Sequence, residues 1–197
     1  MPYSFETVTC VTLKPQSTVA QPATEVEIVK PDSPATRVMT NFKVVHPVTT
    51  RSEIPIDIAL KKMKTAGVRL LFVLDEAEQI IGLITAKDIM GERPIQITQQ
   101  TQTPRADITV ALVMTPQPDI CVLEAKAVRE ARVGDIIKTL RTQESQHVLV
   151  VETDPATKAQ RVIGMFSTSQ ISKQLGYIVT PEAHPAHSFA ELAGQIT

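Results

Sequence analysis

Apolar side chains recur at helical spacing at Ile56, Ala59, Leu60 and Met63, and again at Val133, Ile136, Ile137 and Leu140. Each set lies on one helix face. A β-prone run follows each: LLFVLD at 70–75 and HVLVVE at 147–152. After a polar turn comes a second β-prone run with a glycine inside it. These runs open IIGLITAKDIM (80–90) and VIGMFSTSQIS (162–172), and in each a hydroxyl residue then starts another helix. The pattern predicts strand–helix–strand–strand–helix, twice.

The two copies keep register. Gly82 and Gly164 are offset by 164 − 82 = 82, as are Thr85 and Ser167, and Asp88 and Gln170. The helices and first β-runs are offset by 152 − 75 = 77. The five-residue difference falls in the hairpin, where EAEQ becomes the longer TDPATKAQR, and hairpin tips tolerate insertion. Upstream, Val38-Met39-Thr40 recurs as Val113-Met114-Thr115. Each copy spans roughly 50–60 residues, too few to bury much surface alone. Two copies packed through their sheets would share one core.

This divides the chain into an N-terminal extension (1–36), a first repeat (37–92), a linker (93–111), a second repeat (112–176) and a tail (177–197). The extension holds five prolines. Its TEVEIVK (24–30) alternates as an edge strand would, and a flexible arm fits it equally. Residues 91–108 are polar and are expected as an exposed linker. The tail carries His184 and His187, but Pro185 argues against a metal-holding helix there, and a solvated tail is expected.

A formal net charge of −1 offers no global attraction for nucleic acid or anionic membrane. Aromatics make up 4% and Trp is absent, which removes base-stacking platforms. Cys10 and Cys121 form no CxxC pair, and Cys121, inside ICVL, is expected in the core. The first residues lack a basic stretch followed by an apolar one, and no apolar run nears the roughly 20 residues that span a bilayer. A cytoplasmic protein is expected. No nucleophile–base pair, phosphate loop or metal cluster stands out, so no enzyme is expected.

Thr85 and Asp88 have the spacing of a capping box, and Ser167 with Gln170 satisfies the same rule, since Gln can cap. The acid offers more than a cap. A helix N-terminus suits an anion such as phosphate, and a carboxylate on its first turn can accept charge-assisted hydrogen bonds from a ligand. Gln170 would lose the charged part of that contact.

The ordered set of Val-Met-Thr, amphipathic helix, LLFVLD and IIGLITAKDIM, present twice, resembles the CBS domain. The two copies together resemble a CBS pair, or Bateman module. The resemblance covers about 38–92 and 112–176. It implies an α+β fold of two β-α-β-β-α repeats packed pseudo-symmetrically through their sheets. It further implies clefts that take an adenosine nucleotide (AMP, ADP or ATP) or an adenosyl ligand such as S-adenosylmethionine, with no cofactor required.

Carried over by position, Thr85 and Asp88 match the family's ribose motif, and Ser167 and Gln170 stand at the second copy of it. Arg69, just before LLFVLD, and His147, just before VLVVE, match its phosphate-end positions. Thr49 matches a position beside adenine. Lys87 is expected to face solvent. The resemblance also implies a homodimer, expected through the helix faces of Leu60, Met63, Ile137 and Leu140, and an unidentified target protein. The competing expectation is a ligand-free module for dimerisation and protein interaction.

Overall fold

The computed structural model describes residues 28–181, together with the isolated residue 12. Residues 24–27 of TEVEIVK, Cys10, His184 and His187 lie outside the described residues. The strands are β1 (Thr40–Asn41), β2 (Thr49–Arg51), β3 (Leu70–Leu74), β4 (Ile80–Thr85), β5 (Thr115–Pro116), β6 (Val122–Glu124), β7 (His147–Thr153) and β8 (Gln160–Ser167). The α-helices are α1 (Ile56–Ala66), α2 (Ala86–Met90), α3 (Glu92–Thr101), α4 (Val110–Val113), α5 (Ala125–Glu130), α6 (Val133–Thr142) and α7 (Thr168–Leu175).

Both repeats fold as β-α-β-β-α, as their patterning predicts. In the first, α1 carries the chain from β2 to its parallel neighbour β3, and the 75–79 turn returns it antiparallel as β4. A parallel pair needs such a crossover, whereas an antiparallel pair closes through a short turn. In the second, β6 and β7 pair in parallel and β8 returns antiparallel. Even the irregularities repeat. The register shifts between Val73 and Leu74 in one hairpin, and between Val150 and Val151 in the other.

The repeats are not closed units, however. The strand orders are β2-β3-β4-β5 and β1-β8-β7-β6. Thus β5, which follows the linker, completes the first repeat's sheet. In exchange β1, at the start of the first repeat, completes the second repeat's sheet. The exchange explains why both a Met-Thr and a strand glycine recur in each copy. A Cβ on Gly82 would meet Met114 Sδ at 2.7 Å and Thr115 O at 2.8 Å, and one on Gly164 would meet Thr40 O at 2.7 Å and Met39 Sδ at 3.0 Å. Only a residue without a side chain lets the exchanged strand approach.

The cores follow the same exchange. Val29, Ala35 and Val38 are buried with the second repeat's Val133, Leu140, Phe166 and Ile171. Ile108, Val110 and Val113 are buried with the first repeat's Met63, Leu71 and Ile84. The segment expected as an exposed linker is therefore largely ordered. It forms α3, buries Pro94, and ends on Ile108, which is fully buried. The end of the extension is likewise no free arm: Val29 is buried and its N–H donates to Gln174 O at 2.9 Å. Residues 28–30 form no strand.

Between the sheets lies a third cluster, Leu70, Phe72, Leu83 and Leu149, which joins the repeats into one body. Met63, Ile137 and Leu140 are buried in their own cores, and Leu60 packs partly there. They do not supply the exposed faces expected of them. Among the described residues no helix is long and apolar enough to cross a membrane.

Candidate functional site

At one end of the sheet–sheet interface, where β3 and β7 begin, a cavity of about 300 Å3 opens between the repeats. Thr85 and Asp88 stand on one wall and residues 143–149 on the other.

Thr85 leaves β4 with extended backbone and caps α2. Its Oγ1 accepts from Asp88 N at 3.2 Å. Asp88 Oδ2 in turn accepts from Thr85 N at 2.8 Å and from the Thr85 hydroxyl at 2.7 Å. The capping box is complete, and all three bonds leave Asp88 Oδ1 untouched. That oxygen accepts no hydrogen bond from any described residue, and it keeps its lone pairs for a ligand.

The second repeat does not reproduce this. Ser167 Oγ accepts from Gln170 N at 3.2 Å, but the Gln170 side chain does not reach back to the cap. Its Nε2 donates instead to Gln174 Oε1 at 3.3 Å. Gln174 then donates to Arg37 O at 3.2 Å and accepts from Val29 N through its own carbonyl. Gln170 thus belongs to a chain that clips the exchanged N-terminal segment onto α7, and the expected second capping box is corrected to a half box. Ser167 is buried, and neither it nor Gln170 lines the cavity.

His147 opens β7, lies opposite Ser167 in register, and lines the cavity. Burial pushes its pKa down to about 4; Asp88 acts against that shift and Arg69 adds to it. The imidazole is therefore neutral at pH 7. Asp88 and His147 both line the cavity, whereas Arg69 acts on the imidazole electrostatically without lining it. Arg69 itself is exposed, and its carbonyl accepts from Ala86 N at 2.9 Å at the start of α2.

Thr49 falls elsewhere. It lines a separate cavity at the hairpin end of the sheets and not the one that holds Thr85. Four cavity-lining residues were missed or misjudged. Lys87, expected to face only solvent, borders the cavity, and Cys121, expected in the core, is exposed on its wall as a free thiol. Asp119 and Glu144 were not singled out. The offset of 77 that matches Gln143–Ser145 to Ala66–Val68 would have pointed to Glu144, because both segments join a helix to its buried strand. Among the described residues no group of three His, Cys, Asp or Glu could hold a metal ion.

The family model for the CBS domain matches residues 35–94, which span the first repeat. The second repeat has the same topology, the same hairpin bulge and the same glycine contact. Residues 35–94 form a CBS domain, and the described residues have the fold of a CBS pair. Two solved structures share its fold. An uncharacterised conserved protein from Pyrococcus horikoshii is 15% identical, with 81% of this chain and 99% of that chain covered and a TM-score of 0.51. A conserved CBS-domain protein of unknown function from Thermoplasma acidophilum is 20% identical, with 68% of each chain covered and a TM-score of 0.50. No curated protein matches the chain.

Proposed function

We propose that this CBS pair is a regulatory module whose cleft binds an adenosine ligand, with the ribose diol on Asp88 Oδ1. The observation that carries the reading is the division of the Asp88 carboxylate. Oδ2 is spent on Thr85, and this fixes the side chain at the cavity wall. Oδ1 is left open. A pre-oriented carboxylate oxygen accepts diol hydrogen bonds without the cost of ordering a side chain. The ligand would favour one packing of the repeats over another and so report to a target protein.

The surrounding charge narrows the ligand. Asp88, Asp119 and Glu144 border the cavity, against Lys87 alone, while His147 is neutral. Arg69 adds a second cation nearby. This balance favours adenosine, AMP or a cationic adenosyl compound over ATP.

Asp88→Asn is the direct test. Its amide oxygen can replace Oδ2 in the cap, while its NH2 replaces the open acceptor. Melting without ligand should stay near wild type. Calorimetry with AMP should show affinity reduced by about 10- to 150-fold, the range of a charged hydrogen bond worth roughly 1.5–3 kcal/mol. Unchanged affinity would make Asp88 a cap and nothing more. Wild type that binds neither adenosine, AMP, ATP nor S-adenosylmethionine at millimolar concentration would favour the ligand-free module.

Homodimerisation is part of the reading, but through other residues than expected. Ile58 on α1 and Leu112 on α4, two helices in contact, are exposed by 55% and 47%. Sedimentation at micromolar concentration should show a dimer that Ile58→Glu with Leu112→Glu converts to the 21.6 kDa monomer.

A further inference from the structure

We propose that a second cavity, at the hairpin end of the sheets, binds a small organic carboxylate with an aromatic or branched apolar body. It encloses about 770 Å3, within the roughly 300–1,000 Å3 of ligand pockets. This site does not depend on the adenosine reading. The two cavities meet only at the buried sheet interface, where both touch Ile120 and Leu149.

The cavity is lined by residues at equivalent positions of the two repeats. Thr49 pairs with Phe72 in one sheet as Val122 pairs with Leu149 in the other, and all four line it. Phe42 and Gln117, at equivalent positions after the two Val-Met-Thr segments, line it as well. The symmetry is broken in chemistry. One repeat supplies two phenyl rings, edge to face with centroids 5.5 Å apart and planes at 80°. The other supplies an amide and aliphatic groups at the same places. The first side offers ring faces and edges to a flat apolar body, and such contacts add to simple burial.

Charge decides the polar end of the ligand. Two charged residues border the cavity, Glu78 and Arg161. Glu78 is occupied: its carboxylate is bonded to the Arg51 guanidinium, which also donates to Asp75 O. Arg161 makes no hydrogen bond or ion pair with any described residue. The carboxylate opposite it across β7–β8, Glu152, pairs with Lys43 at 3.5 Å. The rim therefore presents one uncommitted guanidinium beside the uncharged Thr49, Gln79, Gln117 and Gln160. A guanidinium binds carboxylate through two parallel hydrogen bonds, and the amides and hydroxyl can complete the shell.

Calorimetry on the full chain would use indole-3-acetate and 4-methyl-2-oxopentanoate as probes, with indole-3-acetamide as the uncharged control. At least one carboxylate should bind with submillimolar affinity. Arg161→Gln should weaken it at least fivefold and leave the acetamide unchanged. Val122→Trp should fill the cavity and abolish binding of both. AMP should not compete. Failure of both carboxylates to bind at millimolar concentration would overturn the proposal. So would binding that survives Val122→Trp in a protein with an intact cooperative melt, or that AMP displaces. Because Arg161 lies on the surface, its variant tests the charge contact even if Val122→Trp does not fold.

Discussion

Acidification should destabilise this protein through a single imidazole. His147 has a folded-state pKa of about 4, lowered from 6.5 chiefly by burial. The unfolded chain therefore takes up a proton at a pH where the folded chain does not. Where the unfolded state binds more protons, stability rises with pH. The contribution of His147 is thus present above pH 6.5, falls as the pH drops from 6.5 to 4, and is fully lost below. At pH 5 the proton partition between pKa values of 6.5 and 4 costs about 2 kcal/mol at most, and at pH 7 only about 0.2 kcal/mol, using about 1.4 kcal/mol per pKa unit. Urea unfolding at pH 7.0 and pH 5.0 would measure this, with His147→Leu as reference. Leu70 occupies the equivalent place in the first repeat, so leucine is a side chain that this position in the fold accepts. Titrating groups that do not interact with His147 contribute equally to both proteins and cancel in the difference. Wild type should lose about 1–2 kcal/mol more than His147→Leu between the two pH values. Equal losses would show that the imidazole is solvated and ionises normally, and the picture of a neutral histidine in the cleft would be refuted.

The glycine contact predicts that Gly82→Ala destabilises by about 1–3 kcal/mol, the cost of overpacking, because Met114 can yield but the Thr115 carbonyl lies in the β4–β5 ladder. Urea denaturation measures it, and a change below about 0.5 kcal/mol would mean that β5 does not lie where described. The cavity charge predicts that wild type prefers AMP to ATP at low salt, and that Asp119→Asn with Glu144→Gln narrows the gap at least threefold by calorimetry. An unchanged preference would show that these exposed carboxylates are screened. The exchanged segments predict that trypsin, if it cuts between α3 and α4, leaves two fragments that elute together on gel filtration. Separation of the fragments would show that the crossed contacts contribute little to holding the halves.

Much of this molecule could be read from its sequence, for identifiable reasons. α1 and α6 were legible because one face of each packs on a sheet, and packing on one face forces apolar spacing. The Thr85–Asp88 cap was legible because capping is local and needs only the right residues three apart. The strand exchange was not legible. Val-Met-Thr opens each repeat and a glycine lies further inside each, but nothing local says whether Met39 rests on Gly82 or on Gly164. Both pairings satisfy the pattern, and only the folded chain selects the crossed one. Cys121 was misjudged for a related reason. An apolar run implies burial only if both strand faces are covered, and the chain enters β6 at the rim of the cavity. Asp119 and Glu144 lie in connections whose spatial neighbours are set by the fold, so their charge at the cleft had no linear signal.

The change from Asp88 to Gln170 follows from this exchange. Both positions sit three residues after a hydroxyl cap, and both backbones form that half of the cap. The rest differs because the two helices have different work. α2 is five residues long and borders the cavity, so a side chain at its third position can cap and still present an oxygen to a ligand. α7 is longer, is covered by the exchanged N-terminal segment, and carries Gln174 one turn further along. A carboxylate at 170 would lack the N–H that Gln170 donates to Gln174 Oε1. Glutamine supplies that donor and no charge, and Gln174, so held, bonds the segment at Val29 and Arg37. The duplicated fold therefore places a carboxylate with one uncommitted oxygen on the helix that borders a cavity, and a structural amide on the helix that must hold a neighbouring segment.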